Sequence, residues 1–288
     1  MDSKDIPFQR IMMSEPFKFQ VGPDLKEYFV HKEAFVAISP VLRVLITGKM
    51  REAREGVAVW EDIEESDFLG LCEFAYTGKY GMPEFTGTEP SLPYAPEGEA
   101  LGVYGKNAHL RSLLDMEWEG CQATKTSIDQ FVHKSYQPSR YIPSILRCPH
   151  PSSSKFHFDH YLRRHVNMYI LGDRYDIAQL QHLATANLRH ALRVCRETWN
   201  SVNGLTKVIR LIYDSTRPGD DLREVISMYV AIKSEYLFLH VDMDLLRKDC
   251  LEFASDVLAQ VVTLSRLKST MNKEAQGKRK RSDDEDGS

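Results

Sequence analysis

A chain of 288 residues, 42% hydrophobic and 27% charged, is long enough for one large domain or two small ones and apolar enough to bury a sizeable core. Its formal net charge of -4 excludes a broad basic surface for nucleic-acid phosphates, and no run of about 18 apolar residues is present to span a bilayer. Five widely spaced cysteines, Cys72, Cys121, Cys148, Cys195 and Cys250, with no apolar signal core at the amino terminus, fit free thiols in a soluble intracellular protein.

Residues 1–13 form an N-terminal segment ahead of the first pattern. Phe17, Phe19 and Val21 then alternate with Lys18 and Gln20, which predicts a half-buried strand. Gly22-Pro23-Asp24 predicts a turn, and Tyr28-Phe29-Val30 the returning strand of a hairpin. Lys32 to Ile38 reads as a helix through Ala34, Phe35 and Ile38. Ser39-Pro40 predicts a second helix start, with Ser39 as N-cap and Pro40 at the first helical position, where its missing N–H costs nothing. Val41, Leu42, Val44, Leu45 and Ile46 follow, and Gly48 ends that helix. Val57 to Trp60 reads as a third strand. Ser66 is expected to cap the helix that carries Phe68, Leu69, Leu71, Cys72, Phe74 and Ala75, with Thr77-Gly78 closing it.

Residues 82–155 differ in texture. Eight prolines, Pro83, Pro90, Pro93, Pro96, Pro138, Pro143, Pro149 and Pro151, and the Ser152–Ser154 run interrupt any period, which predicts a low-order insert. Helical spacing resumes with Phe158, Tyr161, Leu162, His165, Val166, Tyr169 and Ile170, ended by Gly172. Ile177 to Leu192, Val202 to Ile212 and Leu222 to Val230 give three more helices, and Leu245 to Val261 a long last one. Their short connections suggest antiparallel packing. The remainder, 268–288, is a polar tail expected to be disordered.

The stretch Phe17-Lys-Phe-Gln-Val21-Gly22, then Phe29-Val-His31-Lys32, then Ser39-Pro40, then Phe74-Ala-Tyr76-Thr-Gly78-Lys-Tyr80, resembles the BTB/POZ domain, and its fungal members in particular. Met168 to Ile177, with Leu180 and Ala184, resembles that domain's closing helix pair. The resemblance implies an α+β domain, a short sheet packed on helices, made of residues 14–81 and 156–192 and interrupted by the insert. A helical extension, 193–267, would follow. It also implies a protein-binding module that commonly forms homodimers and, in many members, recruits a cullin-type ubiquitin ligase. Cullin-binding members often carry a hydrophobic-x-Glu motif after the helix that follows Ser-Pro, and Met50-Arg51-Glu52 stands in that place. Met50 would fill an apolar groove and Glu52 would orient the contact. One departure is that the acidic residue that introduces the first strand in many members is here Glu15, followed by Pro16, so dimer formation does not carry over directly. The remaining motif residues read as architecture: His31 packed and hydrogen-bonded at the core edge, Tyr76 and Tyr80 as core and sheet-edge packing.

No constellation points to catalysis or a cofactor. Cys148, His150, His157, His160 and His165 match no zinc-finger spacing, and exposed histidines at a helix start are the simpler reading. Asp62, Glu64, Glu65 and Asp67 flank a helix N-terminus, where acids favour the dipole. Cys72 falls on a core face. There is no nucleophile-elbow, Walker or dinucleotide motif. The basic tetrad Lys278-Arg279-Lys280-Arg281 suits a nuclear import signal, and Ser282 beside Asp283 and Asp284 resembles an acidophilic-kinase site whose phosphorylation would oppose it. Two readings stand: an adaptor linked to ubiquitin transfer, and a nuclear transcription-associated scaffold without a ligase.

Overall fold

The computed structural model describes residues 8–82, 158–194 and 199–266. Among them the chain divides into two compact units, the first running to Leu222 and the second starting at Arg223. The described residues form a mixed α+β fold, mostly helical, with one three-stranded sheet.

The sheet follows from the alternation of the first strand. In β1 (Pro16–Val21) the side chains of Phe17, Phe19 and Val21 are buried, and Lys18 and Gln20 face outward. A turn with Gly22 and Leu25 at positive φ leads into β2 (Lys26–His31), which pairs antiparallel with β1 in the register Phe19 to Tyr28. β3 (Val57–Trp60) joins the other edge of β1 in parallel, so the strand order is β2-β1-β3.

Helices cover the inward face. They are α2 (Lys32–Ile38), α3 (Pro40–Thr47) and α5 (Glu65–Thr77), with α6 (Phe158–Arg174) against α5 and α7 (Ala178–Val194) and α8 (Trp199–Ser215) against α6. The core is aromatic at its centre. Phe19 meets Trp60 edge-on at 4.7 Å and Phe68 at 5.3 Å, and Trp60 stacks on Tyr175 at 4.6 Å. Such pairs add about 0.5–1.5 kcal/mol each beyond the area they bury. The last contact ties the sheet to the turn that follows α6.

Several local expectations are corrected. Two short helices are present where no period is visible: α1 (Phe8–Met12), which buries Ile11, and α4 (Arg51–Glu55). Ser66 does not cap α5; Glu64 holds the N-cap position without a side-chain bond, and Ser66 lies inside the first turn. Gly172 does not end α6, which runs to Arg174. The reversal is made at Asp176 (φ 52), where the Ile177 N–H reaches back to the Gly172 carbonyl at 2.7 Å, the Schellman pattern. Glycine is needed at 172 because a Cβ there would stand 2.8 Å from Cγ of Gln181.

The second unit contains α9 (Asp221–Ile232) from Arg223 onward, α10 (Ser234–Leu237), α11 (Val241–Asp249) and α12 (251–266). The single long last helix expected from Leu245 to Val261 is two helices, because Cys250 leaves helical backbone at φ -111, ψ 87. Leu245 and Val261 are exposed, and Phe253, Val257 and Leu264 form the buried face of α12. Arg223 reaches Glu252 at 2.5 Å.

Candidate functional site

The surface that carries Met50 and Glu52 is built from Ser39 upward. The Ser39 hydroxyl accepts from the Leu42 N–H at 2.9 Å and donates to the Tyr175 carbonyl, so one buried side chain both starts α3 and fastens it to the end of α6. Pro40 occupies the first helical position. At the far end, Gly48 closes on the Val44 carbonyl at 2.9 Å; a Cβ at 48 would lie 2.2 Å from that oxygen. The chain then turns through Lys49 into α4, with Met50 at its N-cap position and Glu52 in its first turn.

Met50 is 60% exposed, and Val41 and Val44, three apart on one face of α3, are exposed as well. Glu52 is half-buried, and among the described residues its carboxylate forms no ion pair, whereas Arg51 and Glu55 pair with each other at 3.8 Å. An exposed thioether two positions from an unengaged carboxylate can offer one apolar and one acidic contact to another protein.

Val21, Gly22, His31, Lys32, Tyr76 and Gly78 hold the frame. Val21 is buried, and Gly22 (φ +73) and Gly78 (φ +71) take left-handed backbone at the hairpin turn and at the end of α5. The Tyr76 hydroxyl accepts from the His31 N–H at 2.9 Å and meets the His31 ring Nδ1 at 2.9 Å, binding α5 to the end of β2. Lys32 donates to Glu15 at 2.7 Å, and this bond holds the Glu15 carboxyl below the ordinary range.

The acidic run does more than favour a helix dipole. Asp67 is buried and pairs with Arg164 at 2.8 Å, and its second oxygen accepts from Asn167 at 2.8 Å. Arg164 also donates to the carbonyls of Ser66 (2.8 Å) and Gly81 (3.3 Å) and lies over the Tyr80 ring. The signal was present in α6. Tyr161, Met168 and Leu171 form a second apolar face, and Arg164 falls on it, three residues after Tyr161. Of the other acids, Glu65 binds Lys26 and Tyr28, and Asp62 pairs with Arg174 at 2.6 Å.

The histidine reading is corrected in the same place. His160 is exposed, but His165 is 2% exposed, with Nδ1 3.0 Å from the Tyr80 hydroxyl. Because α6 is buried on two faces, position 165 has no route to solvent. Burial above all, then the charges of Arg164 and His190, pushes the His165 pKa down to about 3. Burial likewise pushes the Tyr80 hydroxyl up, and Asn187 accompanies it as a hydrogen-bond partner. The Cys72 thiol, half-buried, is pushed up to about 12 by desolvation.

Cys148, His150 and His157, the insert, the import tetrad Lys278, Arg279, Lys280 and Arg281, and Ser282 lie outside the described residues. Among the described residues no group of three or more His, Cys, Asp or Glu is placed to hold a metal, and no helix is long and apolar enough to cross a membrane. A shallow depression lined by Gln9, Arg10, Met13, Ser14 and Glu33 is bridged by the Arg10–Glu33 ion pair at 3.3 Å. No family model, curated protein or solved structure matches the chain.

Proposed function

We propose that this chain is a non-enzymatic protein-interaction adaptor built on a BTB/POZ-like domain, and that it presents Met50 and Glu52 to a cullin-type ubiquitin ligase. The observation that carries the reading is the pair itself: Met50 60% exposed at the start of α4, and Glu52 two residues on with no ion-pair partner among the described residues. Support also comes from the order of elements. A hairpin, a helix pair started by Ser39-Pro40, a parallel third strand, a helix ending at Thr77-Gly78 and a closing pair α6–α7 follow one another as the motif residues do.

A methionine suits this contact because its unbranched thioether adapts to an apolar groove. An unpaired carboxylate beside it adds orientation without first breaking an internal bond. The test is affinity purification of the full chain from its own cells, comparing wild type with the Met50→Ala, Glu52→Ala double variant. Cullin in the wild-type eluate and its loss in the variant, with an unchanged melting temperature, supports the adaptor. Chromatin or transcription proteins without any cullin would replace it with the nuclear scaffold.

A further inference from the structure

Among the described residues the outer edge of β2 pairs with no strand. The Lys32 N–H bonds to the Glu15 carbonyl, which extends the β1–β2 ladder one pair beyond the strand ends and fixes its phase. In an antiparallel pair, hydrogen-bonded and non-bonded positions alternate. Lys26, Tyr28 and Val30 therefore direct their backbone groups toward β1, and Glu27, Phe29 and His31 direct theirs away from it. The phase is checked at His31, whose N–H is taken from outside the ladder by the Tyr76 hydroxyl. It is checked again across β1, where the Lys18 and Gly22 N–H groups turn the other way, to Gly56 and Trp60. Glu27 and Phe29 are left as the two open positions on the edge of β2, and no described residue hydrogen-bonds their outward backbone. Phe29 also holds its ring 66% exposed.

We infer that this edge pairs with the same edge of a second copy of the chain, antiparallel about a two-fold axis at Tyr28. The inference deepens the interaction reading by naming a surface and a partner, and it does not use Met50 or Glu52. In that register Glu27 stands opposite Phe29 of the other copy, and each donor meets an acceptor, giving four backbone bonds. The charges agree as well. Lys26 is already bound to Glu65, and Glu27 to Lys18 at 3.0 Å, so the edge brings no unpaired charge. Lys26 faces Val30, and Glu27 faces Phe29, so no like charges are directly opposed. The edge is short. Leu25 (φ 51) turns away at one end and Tyr76 closes His31 at the other, so its complement is an equally short strand. Exposed edges of this kind are where sheets join between chains.

The test is sedimentation of the full chain over a concentration series, with two variants. Phe29→Pro removes the outward N–H together with the exposed ring but no bond of the β1–β2 ladder, which an edge strand tolerates, and Phe29→Ala, which loses the ring and keeps the N–H, is the comparison. Wild type is expected to dimerise, and Phe29→Pro to raise the dissociation constant by about tenfold or more, two bonds being lost per dimer. Tyr28→Cys places two thiols opposite each other at about 4.5 Å between Cα atoms, within disulfide reach, and is expected to cross-link under mild oxidation above the background of wild type. Glu27→Cys, which faces Phe29, is expected not to. A wild-type monomer at every concentration, or a dimer that ignores Phe29→Pro and does not cross-link through Tyr28→Cys, overturns the pairing. Should Phe29→Pro fail to fold, the cysteine pair decides alone. Cullin co-purification is read separately, with Met50 and Glu52, so either idea can fall without the other.

Discussion

Asp67 and Arg164 stand 97 positions apart and form a buried ion pair at 2.8 Å, with their side chains 9% and 5% exposed. Removing one member strands the other charge in the core. Asp67→Ala is expected to lower stability by about 3–5 kcal/mol, measured by urea unfolding. Gly70→Ala should act through the same guanidinium, since its Cβ would fall 2.0 Å from Nη2 of Arg164. Combined with Asp67→Ala, its effect should be clearly non-additive.

Ser39 serves two elements with one hydroxyl. Ser39→Ala removes the α3 cap and leaves the Tyr175 carbonyl without its donor. A loss of about 1–2 kcal/mol is expected by thermal or urea unfolding. A much smaller loss would mean that the bond to Tyr175 contributes little.

His165 makes stability depend on acid. Burial holds its folded pKa at about 3, below the ordinary 6.5. Between these values the unfolded chain binds a proton that the folded chain does not. Its contribution is thus present above pH 6.5 and is lost as pH falls from 6.5 toward 3, with a slope of up to about 1.4 kcal/mol per pH unit. Stability measured from pH 7 to pH 4 should show that slope in wild type and a shallower one in His165→Phe.

Cys72 should be silent to alkylation in the folded state. Its thiol is pushed up to about 12, so the thiolate that reacts is scarce at pH 8. Peptide mapping after brief iodoacetamide treatment is expected to find Cys72 unlabelled in native protein and labelled in urea. Equal labelling would place the thiol in contact with solvent.

The basic run Lys278 to Arg281 is expected to direct nuclear import. A fluorescent fusion lacking residues 277–288 should move to the cytoplasm, and persistent nuclear signal would remove the run as the sole determinant.

What could be read in advance was local. The alternation Phe17, Phe19, Val21 and the Ser39-Pro40 start each act over a few residues, and both elements appear as expected. The short helices α1 and α4 have five residues each, too few to repeat an apolar period. The break at Cys250 is hidden because apolar spacing continues across it. Asp67 was the hardest to read, because an acid in a first helical turn has a sufficient local reason to be there, and only the distant Arg164 reveals the other one. The candidate pair Met50 and Glu52 could be located in the sequence, but the exposure of one and the unengaged carboxylate of the other could not.

The bond from Arg164 to the Gly81 carbonyl and the meeting of Tyr80 with His165 fasten the last residues of the first described segment to α6. Joined through side chains in this way, the described segments 8–82 and 158–194 make one folding unit, and a cut in the chain between them is expected to leave two pieces that stay associated through the same contacts.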